Sequence, residues 1–100
     1  MYNDVLDIII NSVHEINQNL DDKLPVEQGV LCPLYGDAMA LDSISLVSLI
    51  VTIEQRLEDQ FRIPLILASE KAMSRRNSPF LTIGSLTNYV LECIKEEKND

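Results

Sequence analysis

Ala40-Leu41-Asp42-Ser43-Ile44-Ser45-Leu46-Val47-Ser48-Leu49-Ile50-Val51-Thr52-Ile53-Glu54 is the stretch around which the remaining sequence is organised. Asp42 stands where a helix would begin, because its short carboxylate can accept a backbone N–H from the first turn. Behind it runs the most apolar helical segment of the chain. At about 100° per residue, Leu46, Leu49, Ile50, Ile53 and Leu57 fall on one side, and Ile44, Val47 and Val51 widen that surface to an arc of roughly 220°. A surface helix facing one core needs an arc of only about 100°. Two readings follow: burial among several helices, or an edge at Ile44 and Val51 left exposed as a docking patch. Ser43 is then a hydroxyl at the positive end of the helix dipole, where open N–H groups favour a phosphate.

Outward from this helix, the chain reads as a set of shorter helical segments. From Asn3 to Leu20, Leu6, Ile9, Val13, Ile16 and Leu20 recur at steps of three and four, with Asn3 as the expected cap. Residues 21–41 form a long connection punctuated by Pro25, Gly29, Pro33 and Gly36, in which neither a strand nor a helix period survives. Val30, Leu31, Leu34 and Tyr35 are the expected anchors of this crossover, which Gly36-Asp37 would end. Pro64 disfavours helix at Ile63, so Ile63, Leu65, Ile66 and Leu67 are expected to pack on the core as a loop. Ser69 to Asn77 reads as a short helix broken by Ser78-Pro79, and it carries the densest positive charge, Arg75 and Arg76. Thr82 is the expected cap of a last helix whose stripe is Ile83, Leu86, Val90, Cys93 and Ile94.

The class is therefore all-α: a four-helix bundle with a long first loop and a short third helix. Its domain is expected over residues 1–95, with a charged, fraying tail over 96–100. With 16 acidic and 8 basic residues, the net charge of −8 argues against nucleic acid as a partner, which would require clustered Lys and Arg. Basic protein surfaces are the natural complement. Asp4 and Asp7 interrupt the first apolar residues, unlike a secretory signal, and no apolar run approaches the ~20 residues of a membrane span. Cys32 and Cys93 are too few for a disulfide framework or metal cluster and read as reduced, packed thiols of a cytoplasmic protein.

Catalytic alternatives find little support. A nucleophilic serine needs a base and an oxyanion hole, and Ser43 lies in no Gly-x-Ser-x-Gly elbow. His14, the one histidine, belongs to the first amphipathic helix and reads as a surface or core-edge residue. There is no metal-ligand spacing and no phosphate-cradling glycine loop. The chain is read as a non-enzyme.

Leu41-Asp42-Ser43-Ile44, with the run to Phe61-Arg62-Ile63, resembles the acyl carrier protein family. In that family an Asp-Ser-Leu-type motif opens the second helix. Ile44 stands at the family's Leu position and Val47 at its Val, while Glu54 and Phe61 fall where an acidic residue and an aromatic are common. The likeness is strong over residues 40–63 and moderate over 82–90. It implies the acyl-carrier type of bundle and a covalent 4′-phosphopantetheine on Ser43, with Asp42 as motif residue and cap. The thiol of the arm would hold acyl groups as thioesters. Expected partners are a phosphopantetheinyl transferase and enzymes that load, transfer or condense acyl groups in fatty acid or secondary metabolite biosynthesis. Docking would use Ile44, Val51, Glu54 and Glu58. Val47, Ile50 and Ile53 would line an acyl pocket, and the carrier would be a monomer.

Two departures point to a specialised member. Ser45 and Ser48 replace acidic residues common in fatty-acid-synthesis carriers, and the segment between Phe61 and Thr82 is long. Ala40-Leu41 replaces the Gly-Gly lead-in common in peptidyl carriers. The competing reading is an interaction module of carrier fold that lacks the arm.

Overall fold

Apolar periodicity needs tertiary partners to become stable helix, and the computed structural model supplies them around the first helix. It describes residues 1–20, 23–35, 41–67 and 79–98, the side chains of Ser43 and Lys98 excepted. Three α-helices are described, α1 (Tyr2–Asn17), α2 (Ser43–Phe61) and α3 (Ile83–Lys98), with a 3₁₀ helix, Val26–Leu31, between the first two. Among the described residues the class is all-α, with a single isolated bridge between Pro33 and Thr82 in place of any strand. The expected short helix over 69–77, with Arg75 and Arg76, and the Gly36-Asp37 pair lie outside the described residues.

α1 packs against both α2 and α3, whose backbones do not approach each other closely. Serving two neighbours rotates and widens its buried face relative to the expected stripe. Val5, Ile8, Ile9, Ser12 and Val13 are the buried positions, while Leu6 and Ile16 are only partly covered. Nor is Asn3 the cap. The helix begins two residues earlier, with Met1 at the cap position and its carbonyl accepting the Val5 N–H at 3.1 Å. Buried Ser12 is satisfied by donating to the Ile8 carbonyl at 2.7 Å, and Arg56 of α2 donates to its hydroxyl at 3.1 Å while pairing with Glu15. α1 ends under Lys23, whose ammonium donates to the Asn17 and Leu20 carbonyls at 2.6 and 2.8 Å, a cation at the negative helix end. The side chain of Asn17 meanwhile exchanges two hydrogen bonds with the Leu24 backbone, at 2.8 and 3.0 Å. Exposed on the same helix, His14 sits as expected at the surface.

The crossover is more structured than its sequence pattern indicates. Its 3₁₀ helix is interrupted at Gly29, whose φ of 61° and ψ of −126° belong to a region that side-chain-bearing residues rarely enter. Of the four expected anchors, Leu34 and Tyr35 hold and Val30 and Leu31 do not. Leu24, Val26, Cys32 and Leu34 are buried and Tyr35 is partly so, whereas Leu31 is 73% exposed and Val30 stands at the surface. A 3₁₀ turn has three residues per turn, so it cannot bury neighbours on every face. The crossover is also held close to α3: a Cβ placed on Gly84 would lie 2.9 Å from the Val30 carbonyl oxygen.

α2 buries Leu46, Leu49, Ile50, Ile53 and Leu57 as the arc predicts. It closes at Arg62, which takes a left-handed conformation (φ 59°) and donates its N–H to the Glu58 carbonyl at 2.8 Å. Residues 63–67 then run without regular structure, with Leu65 and Leu67 buried, so the loop reading of this segment holds for them. Ile66 points the other way. α3 opens with a reciprocal box in which Ser85 N–H donates to Thr82 Oγ1 and Thr82 N–H to Ser85 Oγ, both at 3.0 Å. It buries Ile83, Leu86, Val90 and Ile94, leaves Cys93 partly covered, and continues to Lys98, past the boundary expected at residue 95.

Because the crossover hangs on its buried leucine, Leu34→Ala is expected to cost about 2–5 kcal/mol of unfolding free energy, the usual range for a truncated core leucine. Leu31→Ala should stay within about 0.5 kcal/mol, being a surface change. Urea unfolding of the two variants checks this order.

Candidate functional site at the start of α2

The end of the crossover, the residue before the α2 cap and the distant segment at Leu81 converge where α2 begins. The Leu34 N–H donates to the Leu81 carbonyl at 2.7 Å, and the Leu34 carbonyl accepts the Leu41 N–H at 2.8 Å. Beside this chain, Ile83 N–H donates to the Cys32 carbonyl at 3.0 Å. The ladder seats Leu41 in the core and delivers the next residue, Asp42, to the surface in an extended conformation.

From there local chemistry starts the helix. Asp42 Oδ1 accepts the Ser45 N–H at 2.7 Å, and the Asp42 carbonyl accepts the first helical bond, from Leu46, at 2.9 Å. The Ser45 backbone N–H, with a smaller contribution from its hydroxyl, holds the Asp42 carboxyl below the ordinary carboxylate value. Ser43 is the first residue of the helix. At that position the Ser43 and Ile44 N–H groups have no acceptor within the helix and belong to its positive end. Asp42 and Ile44, on either side of Ser43, are both exposed.

Comparison with known proteins gives no match. No family model, curated protein or solved structure matches this chain.

The wide arc divides between burial and exposure. Ile50 and Ile53 are fully buried, whereas Ile44, Val47 and Val51 are 81%, 46% and 43% exposed. Val47 therefore stands with the exposed set and apart from the two isoleucines with which the sequence grouped it as a pocket residue. Glu58 is exposed one turn beyond Glu54. Glu54 itself is partly buried, and its Oε2 accepts the N–H of buried Leu67 at 2.6 Å. That bond, the ladder at Leu34 and the 80% exposure of Ile66 were not read from the sequence. For Ile66 a signal existed: between Leu65 and Leu67 in an extended segment, alternate side chains face opposite ways.

Elsewhere, the described residues hold no group of three or more His, Cys, Asp or Glu side chains close enough for a metal, and none of their helices is long and apolar enough to cross a membrane. Cys32 is buried, and burial first, then the charge of Glu27, pushes its thiol up, away from the reactive thiolate.

The Asp42 cap has a defined pH signature. A carboxylate whose folded value is depressed stabilises above its unfolded value of about 3.9 and loses that effect as pH falls through the lower folded value. The difference in urea midpoint between wild type and Asp42→Ala is therefore expected to be constant above about pH 5 and to shrink below about pH 4. Taking a difference cancels the acid response of the other carboxylates.

Proposed function

We propose that this chain is an acyl carrier, with Ser43 bearing 4′-phosphopantetheine. The observation that carries the reading is an Asp-Ser pair placed at the cap and first residue of a 19-residue helix, with the capping bond made. The residues present suit the group. A phosphodiester at Ser43 would meet the open N–H groups of the first turn, where negative charge is favoured by roughly 0.3–1 kcal/mol. Asp42, held ionised, adds some repulsion, but its carboxylate is turned to the Ser45 N–H. Bound there, the arm would supply a thiol that holds acyl groups as thioesters.

The protein's own part is presentation. Its helix cap fixes the attachment residue, and the exposed Ile44, Val47 and Val51 offer an apolar face beside it that partner enzymes could cover. With a net charge of −8 and Glu58 exposed on the same helix, a partner with a basic rim fits best. The partners implied are the transferase that installs the arm and enzymes that load, transfer or condense acyl groups. Catalysis would belong to them. Complete burial of Ile50 and Ile53 means that sheltering an acyl chain there requires the core to open.

Incubation with coenzyme A and a promiscuous phosphopantetheinyl transferase is expected to add one phosphopantetheine by intact mass. Ser43→Ala should add none. Absence of any gain with several transferases would refute the carrier reading and leave an unmodified interaction module.

A further inference from the structure

Glu54 lies on the same face of α2 as Val47 and Val51, seven and three residues before it, and a carboxylate there reads at first as part of a charged docking rim. Its geometry says otherwise. One of its oxygens is committed to the Leu67 N–H at 2.6 Å, and the Leu67 carbonyl accepts the Tyr89 hydroxyl of α3 at 3.3 Å. Both polar groups of one buried residue are thus held by side chains from two helices that do not approach each other closely. The Tyr89 ring is itself braced edge-on against Phe80, with centroids 6.0 Å apart.

Fixing Leu67 inward fixes its neighbour outward. Ile66 is 80% exposed, nearly matching Ile44, and it directly precedes the residue bonded to Glu54. Ile66 is thus an exposed apolar side chain that α2 does not supply, one residue from the amide held by Glu54, which itself follows Val51 of the Ile44, Val47, Val51 stripe by three residues.

We propose that Glu54 and Tyr89 latch the Leu67 backbone between them so that Ile66 is presented beside the α2 stripe to the transferase that modifies Ser43. Glu54 is then a positioning residue, not a contact. Apolar contact with a basic surround is the transferase chemistry that this face fits, given exposed Glu58 and Asp59 nearby on α2. The inference rests on the carrier reading for its partner, while the latch itself does not.

The test pairs hydrogen exchange of the Leu67 amide with the steady-state kinetics of arm transfer from coenzyme A, using the full chain. Glu54→Gln keeps an acceptor oxygen and removes the charge, so Leu67 protection and KM should stay within about twofold of wild type. Glu54→Ala and Tyr89→Phe should each speed Leu67 exchange by about tenfold, the scale of one lost hydrogen bond. Both should raise KM severalfold with kcat unchanged. Ile66→Ser should raise KM while leaving Leu67 exchange alone.

A Glu54→Gln variant as impaired in KM as Glu54→Ala, with Leu67 still protected, would make Glu54 a direct charge contact and overturn the proposal. So would an unaltered KM in Ile66→Ser. Unchanged Leu67 exchange in both Glu54→Ala and Tyr89→Phe would overturn the latch with arm transfer intact. Failure of wild type to accept the arm would instead refute the carrier reading, and the partner assigned to Ile66 with it.

Discussion

The backbone of Leu34 bonds in two directions, its N–H to Leu81 and its carbonyl to Leu41, and the end of the molecule that matters most depends on that pair. Without it, Leu34, Leu41 and the distant Leu81 would each arrive at the core with an unpaired peptide group, a loss that buried backbone does not tolerate cheaply. With it, the Leu34 and Leu41 side chains are both buried and the next residue, Asp42, emerges ready to cap. The position of the α2 N-terminus is thus set by long-range bonds. Its chemistry is set by short-range ones. A bundle helix usually takes its placement from side-chain packing along its length; here its first turn is tied down by main chain as well.

This division explains how α2 can be apolar over so wide an arc. Its inner residues, Leu46 to Leu57, pack on α1 and share one buried core with residues of the crossover and of the segment over 63–67. Its outer ones, Ile44, Val47 and Val51, stand in water beside the first turn. Single exposed apolar residues are ordinary on protein surfaces, but a stripe of them spaced three and four apart on one helix is an organised face. The helix does not need them for its own stability, since the buried set already anchors it. Their placement next to an exposed cap is what a surface meant to be covered during an encounter would require.

Local rules made the caps legible and tertiary context hid the rest. Asp42 and Thr82 were readable because an N-cap needs only a short acceptor side chain and the amide two or three residues ahead, both within one turn of sequence. Asn3 is not the cap, because the helix already starts two residues earlier, with the Met1 carbonyl accepting its first bond. The long connection was readable as irregular, but its 3₁₀ turn depends on Gly29 adopting a positive φ and on Gly84 admitting the Val30 carbonyl, and no period in the sequence encodes either. The burial of Leu34 rather than Leu31 has the same origin. At the candidate site, the apolar face and the cap could be foreseen from spacing, whereas the commitment of Glu54 to Leu67 joins residues thirteen apart and is visible only when the chain is folded.

The position of Glu54 shows why residue type and helical face alone are weak guides to contact. On a helical projection Glu54 and Glu58 are equivalent: acidic, one turn apart, beside an apolar stripe. In the fold they differ, because the chain leaving Arg62 turns back along α2 and brings the Leu67 N–H to Glu54, the further of the two from Arg62. A buried amide needs an acceptor, and Glu54 is the one in reach; Glu58, past the point where the segment crosses, keeps its charge in solvent. The charge free to meet a partner along this helix is accordingly weighted toward its C-terminal half, at Glu58 and Asp59, away from the first turn. Among the described residues near Ser43, the exposed ones are the Asp42 carboxylate, Ile44, Val47 and the hydroxyl-bearing Ser48. The first turn of α2 is accordingly flanked by apolar side chains and by the Asp42 carboxylate, while the charges of Glu58 and Asp59 stand further along the helix.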